Sequence, residues 1–112
     1  MMREHMLRNM RDHLVALGEI TRHLADSQFD TASEIAENRL GLSSLESHGA
    51  SHMSQFLPQE MGKIGMEMHR AASRFAIEVK NAELEGGHPQ ALSALSEIVQ
   101  QCVACHAGFR VQ

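Results

Sequence analysis

Apolar residues recur at helical spacing along most of the chain. In the first segment, about residues 3–25, they follow steps of three, four or seven, and charged residues fall mostly between them. The apolar positions of this segment are Met6, Met10, Leu14, Leu17 and Leu24. The pattern predicts an amphipathic helix.

A second helix is predicted after Asp26 and Ser27, which interrupt the first pattern. Asp30 is a candidate N-cap for the segment DTASEIAENRL. Helical steps continue beyond that segment, so the helix can extend, with a weak point at Gly49, as far as Leu57. The proline that follows Leu57 biases it out of the α region, which predicts a helix end there.

Two further helices follow, each opened by a proline, Pro58 and Pro89. The EGG segment at 85–87 ends the third helix. Its apolar stripe is Met61, Ile64, Met68, Ala72, Phe75 and Val79, and the shared face predicted for the fourth is Leu92, Leu95, Val99, Cys102 and His106. With no alternating strand pattern and short connections, we expect an all-α fold: one antiparallel four-helix bundle over residues 1–112.

Composition narrows the function classes. The chain has 112 residues and is 43% apolar, but its aromatic residues are four Phe with no Trp or Tyr, so a group other than side chains is expected to add bulk to the core. The net charge is −4 and no basic run is present, which argues against binding to nucleic acid. No segment approaches the roughly 20 apolar residues of a membrane span, so none is expected.

Both cysteines of the chain, Cys102 and Cys105, lie near its end, and His106 follows directly. C-x-x-C-H is the attachment signature of c-type haem, in which two thiols add across the porphyrin vinyl groups and the adjacent imidazole coordinates iron. On a helix, residues three apart lie on one face, so both thiols can reach neighbouring pyrrole rings. The motif predicts one covalent haem c held by Cys102 and Cys105, with His106 as an iron ligand.

Two other uses of a cysteine pair fit less well. A structural zinc site needs four ligands, and the missing two would have to come from scattered histidines. A thioredoxin-like redox pair follows a strand and begins a helix, whereas this pair lies near the end of the last predicted helix.

The segment CVACHAGFR, residues 102–110, resembles the C-terminal signature of cytochrome c′ and the related class II c-type cytochromes. FDTASEIAEN at the start of the second helix is a weaker likeness. The resemblance implies a bacterial periplasmic bundle, exported by a signal peptide that the given sequence does not contain, with His106 as the proximal ligand. It also implies that Phe109 packs near the macrocycle and that Arg110, one turn after His106, lies beside its proximal face.

In that family the first helix supplies the residue on the other side of the iron. A methionine gives a six-coordinate electron carrier, whereas a non-coordinating apolar residue leaves the iron open to small gases. Counting back from the second helix favours Met10, counting back from LGEI at 17–20 favours Met6, and His13 is a third candidate. The arginine that usually lies four residues before the ligand is absent for Met10.

The function that follows is periplasmic electron transfer by a His106/Met10-ligated haem, exchanging electrons with redox partner proteins. The alternative is a five-coordinate iron that binds NO or CO. No nucleophile with an ordered base is present, so the chain is not expected to be an enzyme. Bundles of that family often form dimers through their first two helices. The apolar residues Leu7 and Val15 on the first predicted helix are candidates for the contact face of such a homodimer.

A second metal site is a weaker hypothesis. His48 and His52 are four residues apart, and Met66, Met68 and His69 add soft donors, as do Met1, Met2 and His5 near the start of the chain. No carboxylate or cysteine completes a tight shell around them, and isolated helical histidines are usually surface or packing residues.

Overall fold

Four α-helices and one short 3-10 helix form the part of the chain that the computed structural model describes, residues 2–46, 49 and 57–109, and these residues contain no β-strand. The elements are α1 (Met2–Ala25), α2 (Phe29–Arg39), the 3-10 helix (Leu42–Ser44), α3 (Gln59–Leu84) and α4 (Gly87–Gly108). The all-α prediction is therefore confirmed. None of the described helices is long and apolar enough to cross a membrane.

The turn between α1 and α2 is closed by backbone hydrogen bonds. Ser27 takes a left-handed conformation with φ of 59°, and its N–H donates to the Leu24 carbonyl at 3.0 Å. The next N–H, that of Gln28, donates to the His23 backbone carbonyl at 2.8 Å. Because Gln28 is the residue that precedes the first helical position, the prediction of Asp30 as N-cap is wrong; Asp30 lies in the first turn, near the positive end of the helix dipole.

Helix α2 ends at Arg39, so its predicted extension to Leu57 is also wrong. The N–H groups of Leu40 and Gly41 both donate to the Ala36 carbonyl, at 2.9 and 2.7 Å, which closes the last turn. A Cβ atom at Gly41 would lie 2.7 Å from the Ser73 hydroxyl oxygen. The turn therefore depends on the close approach of bare backbone to α3.

Consecutive helices pack against each other in opposite directions. Ser33 on α2 donates to the Ala76 carbonyl on α3 at 2.7 Å, and further along α2 the Leu40 carbonyl lies 2.6 Å from Nδ1 of His69. As residue numbers rise on α2 they fall on α3, so these helices are antiparallel. Short connections impose the same relation on α1 with α2 and on α3 with α4.

The hydrophobic core fills one half of this bundle and is rich in alanine. Its large members are few, with Phe75, Ile20, Leu40, Ile98 and Val79 almost completely buried. The small members, which let helices approach closely, are Ala16, Ala32, Ala36, Ala71, Ala72, Ala82, Ala91 and Ala94.

This arrangement changes the predicted faces of α1 and α4. Leu14, Leu92 and Val99, expected in the core, are 71%, 56% and 41% exposed. Met6, Leu24 and Leu95 are buried as predicted, but alanines and Ile20 or Ile98 take the other buried positions, because the helices are rotated so that their small residues meet their neighbours. The α3 stripe is confirmed from Met68 to Val79, whereas Met61 and Ile64 are only partly buried.

Candidate functional site

The other half of the bundle contains a partly open cavity of about 180 Å³. It lies between the first half of α1, the first half of α3 and the last turns of α4. The residues that line it are Met6, Asn9, Met10, His13, Leu45, Leu57, Met61, Gly62, Gly65, Met66, Met68, His69 and Cys105. Thioethers and aliphatic groups dominate this lining, and the described lining residues include no Asp or Glu.

The α1 wall carries all three candidates for the sixth iron ligand. Met6, Met10 and His13 follow steps of four and three residues, so they share one face of the helix. Met6 is 8% exposed and Met10 37% exposed. The cavity lining therefore does not choose between these candidates, and the preference for Met10 stays a prediction.

The α4 wall brings in the cysteine motif. Cys105 lines the cavity, and Cys102, one turn earlier, is partly buried against the core. Both are free thiols. Burial raises the pKa of each thiol above its ordinary value, and at Cys102 repulsion from Cys105 adds to the rise in pKa. Unmodified thiols in this site are therefore held in the neutral form.

Of the described motif residues, His106 and Phe109 do not line the cavity. His106 is exposed and is absent from the lining, so its predicted role as iron ligand stays a prediction. Phe109 caps α4, its N–H donating to the Cys105 carbonyl at 2.9 Å. Arg110, predicted beside the haem, lies outside the described residues.

The α3 wall is the part of the site that the sequence pattern did not predict. Met66 and His69, considered only as weak metal donors, line the cavity together with Met61 and Met68, which were assigned to the core stripe. A helical step linking Gly62, Gly65, Met66 and His69 is visible in the sequence, but glycines carry no apolar signal. At both glycines an added Cβ would meet nothing within 4 Å, so there is open space above this stretch of backbone.

Two histidines from different helices meet in the cavity. The rings of His13 on α1 and His69 on α3 lie edge to face, with centroids 5.9 Å apart and planes at 82°. Nδ1 of His69 lies 2.6 Å from the Leu40 carbonyl oxygen. Because a carbonyl can only accept, Nδ1 carries the proton, and the lone pair of the neutral ring is on Nε2.

A group of charged side chains lies just outside the cavity lining. Arg39 at the end of α2 pairs with Asp12 at 2.6 Å and also with Glu19, both on α1. The hydrogen bond that Arg39 donates to Asp12 is the main cause that raises the pKa of Arg39; burial opposes the rise, and the hydrogen bond that Arg39 donates to Glu19 adds to it. The site thus combines an apolar interior rich in soft donors with a charged clamp beside it.

The second metal site predicted from His48 and His52 involves residues outside those that the structure describes. Among the described residues, no three His, Cys, Asp or Glu side chains converge on one point that could hold a metal ion.

Comparison of the chain with protein-family models, with curated proteins and with solved structures finds no match. The resemblance to class II c-type cytochromes therefore remains a prediction that depends on the residues of the C-terminal motif.

Proposed function

We propose that this protein is a haem c protein that transfers electrons in a bacterial periplasm. Cys102 and Cys105 would hold one haem covalently, His106 would be one axial ligand, and Met10 the other. The observation that carries the proposal is the shared cavity: Cys105 of the C-x-x-C-H motif and the α1 candidates, some ninety residues earlier in the chain, line the same apolar space.

The chemistry of the lining fits a porphyrin. Apolar side chains and polarizable thioethers suit a large flat ring, and the open space above Gly62 and Gly65 leaves the α3 backbone accessible to it. The small number of aromatic residues in the core agrees with a bundle that takes part of its bulk from a bound group.

When bound, the haem would supply reversible one-electron chemistry at iron. The chain's own residues would do the rest. The thiols of Cys102 and Cys105 would anchor the group in either redox state, and the imidazole and thioether would donate lone pairs to the metal. The apolar lining would exclude water and favour the less charged state, which raises the reduction potential.

The decisive experiment is expression of the exported chain together with a c-type haem maturation apparatus. We expect a coloured protein whose mass exceeds that of the polypeptide by the mass of one haem. The haem should stay attached to the chain during acid-acetone extraction. The Cys102→Ala/Cys105→Ala variant is the matched control and should keep the mass of the bare chain. A wild-type sample that is colourless, or that loses its haem on extraction, would falsify the proposal.

The spectrum of the same sample separates electron transfer from gas binding. Methionine ligation predicts a weak far-red band in the oxidised protein and slow reaction of the reduced protein with CO. A sample without the band that reacts promptly with CO would identify an open iron site and the NO- or CO-binding alternative.

A further inference from the structure

Two Met-x-x-His pairs face each other across the cavity. Met10 and His13 form one on α1, and Met66 and His69 form the other on α3. All four side chains line the cavity. Residues three apart share a helix face, so each helix presents one thioether and one imidazole side by side. Carboxylate-bridged di-iron bundles use the same spacing in Glu-x-x-His pairs on facing helices, but here thioethers replace the carboxylates.

The two imidazoles are close enough to share one metal ion. Their ring centroids are 5.9 Å apart, and a metal–imidazole bond is about 2 Å long. The hydrogen bond from Nδ1 of His69 to the Leu40 carbonyl orients that ring and leaves the lone pair on Nε2. Metal-binding histidines are commonly fixed by this kind of backbone contact.

The donor set selects the metal. Thioethers are soft ligands that favour Cu(I), and imidazole also suits copper. The described lining contains no carboxylate, which Ca²⁺ and Mg²⁺ need, and structural Zn²⁺ sites use four Cys, His or carboxylate ligands rather than thioethers. A monovalent ion also leaves less uncompensated charge in an apolar cavity than a divalent ion does.

We propose that the haem-free chain binds one Cu(I) ion between Met10, His13, Met66 and His69. This inference goes beyond the proposed function and does not rest on it, because none of the four ligands is a cysteine. The copper ion and a haem would occupy the same space, so each excludes the other. The chain would therefore bind copper only before, or in place of, haem attachment.

The test uses the 112-residue chain with Cys102→Ala and Cys105→Ala, which has no thiol to bind copper or attach haem. Anaerobic titration against the coloured Cu(I) chelator bicinchoninate should show one Cu(I) bound per chain. Met66→Leu keeps the side-chain volume but removes the sulfur, and His69→Gln removes the imidazole but keeps an N–H for Leu40. Each should weaken Cu(I) binding at least about tenfold.

His23→Gln in the same background is the matched control, since His23 lies on α1 outside the cavity and pairs with Gln28. It should leave the affinity unchanged. Failure of the cysteine-free chain to compete for Cu(I), or equal affinities in the His69 and His23 variants with normal helical circular dichroism, would overturn the proposal. Copper-edge X-ray absorption that finds nitrogen but no sulfur neighbours would overturn it as well. Neither result affects the haem proposal, which is decided by the mass of the cysteine-containing chain.

Discussion

Nη2 of Arg39 lies 2.6 Å from Oδ1 of Asp12, which ties the last residue of α2 to the residue before His13 on α1. Nη1 of the same guanidinium pairs with Glu19, which lies two turns after Asp12 on the same side of α1. The two contacts fix α1 against α2 at the end of the bundle where the cavity lies. The position of the α1 cavity wall therefore depends on a residue that does not line the cavity.

Replacing Arg39 by Met should lower the free energy of unfolding by about 1 kcal/mol. The estimate follows from two partly exposed ion pairs, each typically worth 0.2–1 kcal/mol. Urea unfolding followed by circular dichroism measures the change. Arg22→Met is the control, because the ion pair of Arg22 is local: it contacts Asp26, the residue just after α1, at 3.2 Å. Equal losses in the two variants would mean that the Arg39 clamp does not hold the helices together.

Gly41→Ala should destabilise the protein by about 1–3 kcal/mol, the usual cost of overpacking. The new Cβ would come within 2.7 Å of Ser73 Oγ and 2.8 Å of Glu37 Oε1, in a buried turn. Gly18→Ala is the matched control and should change stability in the opposite direction, by about 0.5–1 kcal/mol. Gly18 lies inside α1 with nothing within 4 Å of an added Cβ, so alanine there only improves helix propensity. Thermal unfolding of both variants tests the signs.

Glu37 should make stability depend on pH in the acid range. Burial tends to raise the pKa of its carboxyl, but hydrogen bonds from Ser43 and Ser73 outweigh burial and hold it below the ordinary value of 4.5. A lowered folded-state pKa means that the ionised carboxylate stabilises the fold above that ordinary value. The contribution is lost as the pH falls below 4.5 through the folded-state pKa.

Glu37→Gln should therefore cost about 1 kcal/mol near neutral pH, a value reduced by solvent around this half-exposed group. The difference from wild type should shrink steadily in unfolding curves recorded at decreasing pH below 4.5. Glu97→Gln, an exposed substitution on α4, is the control and should leave stability near neutral pH unchanged. A constant Glu37→Gln deficit down to pH 3 would contradict the assignment.

The thiols of the haem-free chain should react slowly with iodoacetamide. Burial raises the pKa of both Cys102 and Cys105, so the thiolate fraction near neutral pH is reduced in the folded state. In reducing buffer, the pH–rate profile of the folded chain should have its midpoint at higher pH than the profile of the same chain in urea. Coincident midpoints would show that the fold does not protect the motif.

The sixth iron ligand can be identified by substitution in the haem-loaded protein. If Met10 is the ligand, Met10→Ala should abolish the far-red band of the oxidised protein and speed the reaction of the reduced protein with CO. Met6→Ala and His13→Ala are the comparison variants, because all three side chains line the same cavity. An unchanged spectrum in Met10→Ala, together with loss of the band in one of the others, would move the assignment to that residue.

Local features of the sequence were enough to predict the helical segments, the bounds of α1 and α3, and the candidate chemistry. The bounds of α1 and α3 follow from apolar periodicity and from proline and glycine positions, and those signals act over a few residues. The C-x-x-C-H motif is likewise local, so it predicted haem attachment without any knowledge of the fold.

Tertiary structure alone decided which faces are buried, where α2 ends and which side chains form the cavity. Periodicity places Leu14 and Leu92 on apolar faces, but the rotation of each helix depends on its neighbours, and close packing selected alanines instead. The turn after α2 requires glycine at position 41 because an added Cβ would lie 2.7 Å from the hydroxyl oxygen of Ser73, on another helix. Packing of α1, α2 and α3 also sets the distance between His69 and His13. The number of residues between the two histidines does not determine that distance, so the sequence could not predict that both lie in the site.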